Sequence, residues 1–160
     1  MLVEQLMNRP AVTCHPTDSC HVAAGLMWES DVGSVPVVGD DGCVCGMITD
    51  RDISMAAYLR GLPLSEMQVC DVMARDVFTC RPGDPLGVAE RTMSQCQVRR
   101  LPVVDAEGRV VGVLSLNDLA REAEQEGGRR RPDVTDVDVS RTLAAIGHPR
   151  RQEQLELPPP

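Results

Sequence analysis

Aromatic side chains are nearly absent. One Trp, one Tyr and one Phe (Trp28, Tyr58 and Phe78) serve 160 residues. An aromatic core is excluded, and burial falls to Val, Leu, Met and Ala. Positive charge is also short: 16 Lys+Arg stand against 24 Asp+Glu, a formal net charge of −8. That argues against a general nucleic-acid or anionic-membrane binder, while leaving room for a local basic pocket. No apolar run approaches transmembrane length, and Met1 is not followed by a basic-then-apolar segment, so the cytoplasm is expected and no membrane partner is. Catalytic pairings are missing as well. His15, His21 and His148 have no Ser, Cys or Asp partner at a motif spacing, so no enzyme is expected.

Cysteine is present but unorganised. Seven is an odd number, scattered without a framework, and in a reducing compartment such residues act as small buried hydrophobes. Cys14-His15, Cys20-His21 and the Cys43/Cys45 pair are spaced too loosely for structural zinc, and the second half of the chain keeps only Cys80, with Arg81, Leu86 and Gly87 at the other places. No metal site is expected. A Cys/His metal or redox sensor stands as a rival reading.

What the chain does have is a repeat. Gly46-Met47-Ile48-Thr49-Asp50-Arg51-Asp52 and Gly112-Val113-Leu114-Ser115-Leu116-Asn117-Asp118 share one pattern: Gly, two apolar residues, a hydroxyl residue, two variable residues, Asp. They lie 66 residues apart, and residues 3–53 align with 69–119 at that offset without a gap, with 18 identities in 51 positions. The pairs include Met7/Met73, Cys14/Cys80, Pro36/Pro102, Gly42/Gly108 and Asp52/Asp118. Each repeat opens with apolar residues at i, i+3, i+4 (Val3, Leu6, Met7; Val69, Val72, Met73), read as a short amphipathic helix. Short strands follow at 11–14 and 77–80, then helices at 19–30 and 85–96 with Asp18 and Asp84 as N-caps. Two strands joined by a polar turn come next, 35–38 to 44–48 and 101–104 to 110–114. Final helices cover about 50–59 and 116–126. The fold class expected is α/β (α+β), with each repeat β-α-β-β-α behind its opening helix. The expected units are 1–62 and 63–126, with 127–160, including the arginine run 129–131, as a flexible tail.

The strand-to-helix junction carries the chemistry. Orphan backbone N–H groups and the helix dipole favour an anion there. Thr49 or Ser115 can add a hydroxyl. Asp52 or Asp118, one turn on, can accept from both hydroxyls of a ribose. Simple helix capping explains the hydroxyl residue but explains the recurrent Asp less well.

A tandem unit of this order, ending in Gly-apolar-apolar-Thr/Ser-x-x-Asp, resembles a pair of cystathionine β-synthase (CBS) domains, the Bateman module. The Val-Pro-Val-Val and Leu-Pro-Val-Val strands and the acidic turn ending in Gly carry the likeness over residues 3–126. With no fused enzyme or transporter, the chain is similar to stand-alone bacterial CBS-pair proteins. The resemblance implies pseudo-two-fold symmetry, a regulatory role, a homodimer, an unidentified protein partner and an adenosyl ligand (AMP, ADP, ATP or S-adenosylmethionine), with no required cofactor. It also implies shared clefts. The first joins Thr49, Arg51 and Asp52 to Phe78, Arg99 and Arg100. The second joins Ser115, Asn117 and Asp118 to Val12, Gly33 and Ser34. Gly33 and Ser34 occupy the places of Arg99 and Arg100, so the second cleft lacks the basic clamp and is expected to prefer a ligand with little phosphate charge, bind weakly or stay empty. A ligand-free dimerisation scaffold is the alternative.

Overall fold

The structure, a computed structural model, describes residues 1–126 and 132–148. Two hairpins form its centre. β1 (Ser34–Val38) pairs antiparallel with β2 (Val44–Thr49), and β3 (Arg100–Val104) with β4 (Val110–Ser115). Gly42 and Gly108 turn these hairpins with φ of 77° and 84°, a left-handed conformation that accounts for glycine at both. The hairpins meet at their turns, where Cys43 bridges Arg109. Helices flank each hairpin: α1 (Cys20–Glu29) and α2 (Asp50–Arg60) in the first half, α3 (Leu86–Cys96) and α4 (Leu116–Glu126) in the second.

The leading strands expected at 11–14 and 77–80 shrink to one parallel bridge each, Cys14 to Val37 and Cys80 to Val103. Proline explains the truncation. The next rung on either side needs an N–H from Pro16 or Pro36, or from Pro82 or Pro102, and proline has none. The helix caps also differ from expectation. Ser19 caps α1, accepting from Val22 N at 3.3 Å, and Pro85 occupies the N-cap of α3. Asp18 and Asp84 instead accept from the backbone N–H groups of His15 and Arg81, both at 2.7 Å, and fold the preceding turn.

The opening segments are exchanged. They are single 3₁₀ turns, Val3–Gln5 and Val69–Asp71, and each packs on the other half. Val3 is buried among Leu86, Ala89, Met93, Leu101 and Leu119. Val69, Met67 and Met73 are buried among Cys20, Ala23, Val35 and Ile48. Every tie recurs at the 66-residue offset: Leu2–Pro85 matches Ser19–Gln68, and Asn8–Val113 matches Met47–Ala74. The motif glycines make this possible. A Cβ on Gly112 would meet Asn8 O at 3.0 Å and Met7 Sδ at 2.7 Å, and one on Gly46 would meet Ala74 O at 3.2 Å and the Met73 sulfur. Only hydrogen fits beneath the crossing strand.

The span 127–160 is not wholly a tail. Asp136–Gly147 forms a helix, α5, three turns long, packed on α3 and α4. Val134 is buried in the second core, with Val139 and Ile146 packed against it, and the buried Thr142 donates to Glu90 at 2.9 Å. That apolar stripe explains the docking. The arginine run 129–131 and residues 149–160 lie outside the described residues.

Gly46→Ala and Gly112→Ala are each expected to lower stability by about 1–3 kcal/mol through overpacking. Urea unfolding, read as a lower midpoint at unchanged slope, measures this.

Candidate functional site

The hairpin register sets the site. Ser34 pairs with Thr49 at the open end of the first hairpin, and Arg100 with Ser115 at the open end of the second. The chain then turns into α2 at Thr49 and into α4 at Ser115. Between the halves lies a cleft of about 860 Å³ lined by Thr49, Arg51, Asp52, Phe78, Arg99 and Arg100. These six residues are the set expected for the first cleft, drawn from both repeats. Phe78 is 41% exposed, its ring available for contact.

Thr49 and Asp52 form a capping box. Thr49 Oγ1 accepts from Asp52 N at 3.1 Å, while Asp52 Oδ2 accepts from Thr49 N at 3.0 Å and from Thr49 Oγ1 at 2.7 Å. Capping therefore occupies one carboxylate oxygen, and among the described residues no hydrogen bond to Oδ1 accompanies it. Arg51, Arg99 and Arg100 have no ion-pair partner among the described residues, although Asp50, Asp52 and Asp76 line the same cleft. Three guanidinium groups without a direct ion pair among the described residues, beside a helix start, suit an anion such as phosphate.

Gly33 and Ser34, expected in the second cleft, line this one instead. Cross-strand pairing places Ser34 beside Thr49, whereas the repeat-level analogy ignored that the two share one hairpin end. A Cβ on Gly33 would lie 3.0 Å from Asp50 Oδ2 and 3.7 Å from an Arg100 guanidinium nitrogen. Glycine thus leaves room for Arg100 to reach the other half. Ser34 is 6% exposed and its Oγ has no hydrogen-bond partner among the described residues, an orphan hydroxyl in a residue of the cleft wall.

Val12, Ser115, Asn117 and Asp118 do not line this cleft. Asp118 is 2% exposed and fully engaged: Oδ2 accepts from Ser115 N at 2.8 Å and from Ser115 Oγ at 2.6 Å, and Oδ1 pairs with Arg121. Position 121 corresponds to Met55 in the first repeat, so Asp52 has no such internal cation. Val12 packs on the first core and Asn117 is exposed. The second junction thus differs from the first in a further way, which the arginine comparison alone did not reveal.

The sequence reading missed Gln97, Ile146, Gly147 and His148, which also line the first cleft. The last three come from α5, outside the repeats, where no internal comparison points. The cysteines are free. Burial first, then nearby Asp18, pushes the Cys14 thiol up to about 12, and burial does the same at Cys80, so both stay protonated at neutral pH. Among the described residues, no group of three or more His, Cys, Asp or Glu is placed to hold a metal. No helix of the described residues is long and apolar enough to cross a membrane.

Comparison with known proteins settles the family. The CBS domain family matches residues 3–58 and 69–124, the same 66-residue offset. This chain belongs to the CBS domain family. It is 36% identical over 118 residues to the CBS domain-containing protein YhcV of Bacillus subtilis (strain 168), covering 74% of this chain and 82% of that protein. It is also 33% identical to the homoserine O-acetyltransferase of Methanococcoides burtonii, but spans only 23% of that longer protein. Among solved structures, the CBS domain pair of MJ0100 in complex with 5′-methylthioadenosine and S-adenosyl-L-methionine matches with TM-score 0.70 and 28% identity, over 81% of this chain and 98% of that one. Hypoxic Response Protein I, with two coordinated zinc ions, matches with TM-score 0.68 and 29% identity, over 76% and 98%.

Because Asp118 is buried and paired, Asp118→Ala is expected to cost about 1–3 kcal/mol of stability, as lost capping and an exposed donor set require. Asp52→Ala should cost less in thermal melts of the ligand-free protein. Equal losses would show the two junctions to be equivalent.

Proposed function

We propose that this CBS pair is a regulatory module that binds an adenosyl nucleotide in the cleft between its repeats and signals by changing shape. The observation that carries the reading is the meeting, in one cleft, of three arginines without a direct ion pair among the described residues, the Thr49–Asp52 junction and Phe78. Asp52 Oδ1 accepts from a ribose hydroxyl, a charge-assisted bond worth about 1.5–3 kcal/mol. Arg99 and Arg100 clamp phosphates through their planar forks, and Phe78 contacts the base. The second junction binds weakly or stays empty, because Arg121 already holds Asp118. The MJ0100 pair, described in complex with methylthioadenosine and S-adenosylmethionine, supports an adenosyl ligand. Candidate ligands are AMP, ADP, ATP and S-adenosylmethionine, and the arginines favour the phosphorylated ones. The reading assigns this chain no catalysis of its own and no required cofactor, and places it in the cytoplasm.

Isothermal titration calorimetry with these four ligands tests it. Asp52→Ala is expected to abolish binding. Changing Arg99 and Arg100 together to Ala should weaken ATP by about tenfold or more, and adenosine far less. If none of the four binds the full chain, the sensing reading falls and a ligand-free scaffold replaces it.

A specific surface favours association. Trp28 (88% exposed), Tyr58 (80%) and Leu59 (74%), with Met55 and Leu62, leave α1, α2 and the turn after them apolar and uncovered. In the second half the positions matching Met55, Tyr58 and Leu59 are the exposed polar residues Arg121, Glu124 and Gln125, and α5 packs on α3 and α4. A homodimer formed through the α1–α2 face is part of the proposal, with an unidentified protein partner receiving the signal. Sedimentation equilibrium is expected to give a dimer for the native chain, and a monomer after Tyr58→Arg with Leu59→Arg. A monomeric native chain would remove the dimer from the reading.

A further inference from the structure

The cleft has a third wall. Beside the two repeats it is bounded by Ile146, Gly147 and His148 at the end of α5, a helix whose docking is specified rather than incidental. Gln97, itself in the cleft wall, donates through Nε2 to Ala145 O at 3.1 Å and His148 O at 3.0 Å. Ala145 O also accepts from His148 N at 3.4 Å, so Gln97 and the capping residue His148 close the helix end together. Glu90 accepts from Thr142 one turn further back at 2.9 Å. The pseudo-symmetric positions show why α5 lies on this half. Gln97 corresponds to Asp31 and Glu90 to Ala24. Gln97 and Asp31 share the same left-handed backbone, with φ of 52° and 53°. A carboxylate cannot donate to helix carbonyls and an alanine cannot accept from Thr142, so the first half offers α5 neither contact.

A single residue therefore touches both things that matter. Gln97 holds the end of α5 and lines the cleft, which also holds the orphan hydroxyl of Ser34. We infer that occupancy of this cleft is coupled to the docking of α5, with Gln97 as the latch, so that a bound nucleotide holds the helix in place and its loss frees the helix as the output element. The inference deepens the proposed function and rests on it. Its physical content is differential affinity. The docked state places Ile146, Gly147 and His148 in the cleft wall, and the undocked state does not. Whatever the ligand gains from that wall stabilises docking by the same amount. The cleft, at about 860 Å³ with α5 in place, has room for a nucleotide without displacing the helix.

Hydrogen exchange on the full chain, with and without saturating ATP, tests the coupling, alongside calorimetry on the native chain and on Gln97→Glu. That variant keeps the side-chain size and removes the donor. ATP is expected to slow exchange across 136–147 in the native chain and to leave it unchanged in Gln97→Glu, which should bind ATP about tenfold more weakly. His148→Ala, which leaves the latch intact, should weaken ATP with α5 still docked. If ATP binds the native chain but exchange across α5 does not change, or if Gln97→Glu binds ATP as tightly as the native chain, the coupling is wrong and the nucleotide site stands. If ATP does not bind the native chain at all, the site reading falls and the coupling with it.

Discussion

The fold depends on two places where backbone passes directly over backbone. Beneath Gly46 runs the Met73–Ala74 segment, and beneath Gly112 the Met7–Asn8 segment. Because each opening segment crosses to the other half, neither half encloses its own core. Val3 completes the core around Leu101 and Leu114, and Val69 the core around Val35 and Ile48. Two small two-stranded sheets are marginal alone. Exchange turns them into one body and fixes the cleft between them.

Repeats of one backbone plan, identical at 18 of 51 positions, then yield unlike junctions. The backbone of the two junctions is the same, down to Asp50 N on Gly33 O at 3.1 Å and Leu116 N on Arg99 O at 2.9 Å. Side chains at three positions break the symmetry. Arg99 and Arg100 replace Gly33 and Ser34, which concentrates cation in one cleft. Arg121 replaces Met55, which ties up the carboxylate at the other junction. Electrostatics thus distinguishes the two junctions without altering the fold.

The helix α5 makes a second asymmetry. It covers the α3–α4 face of the second half while the α1–α2 face of the first, with Trp28, Tyr58 and Leu59, stays exposed. One half thus carries a helix from outside the repeats, and the other leaves large apolar side chains exposed. The same helix forms a wall of the cleft, so the covered face and the ligand site share an element.

The repeat, the hairpins and the turn glycines were legible in the sequence, because period, turn chemistry and a doubled motif are local properties, whereas the grouping of Thr49, Arg51 and Asp52 with Phe78, Arg99 and Arg100 came from the family resemblance. Three things were not legible. The Thr-x-x-Asp pattern does not distinguish a site from a cap. Thr135 and Asp138 form the same capping box at the start of α5, with Thr135 Oγ1 on Asp138 Oδ2 at 2.6 Å, and line no part of the cleft. Ser34 belongs beside Thr49 because of cross-strand register, which repeat alignment does not carry. Gly46 and Gly112 are glycines because a segment distant in sequence lies upon them. Sequence determined the units and their local chemistry. Only tertiary structure decided which copy holds an open carboxylate and which element from outside the repeats closes the cleft, since both follow from contacts between residues far apart in the chain.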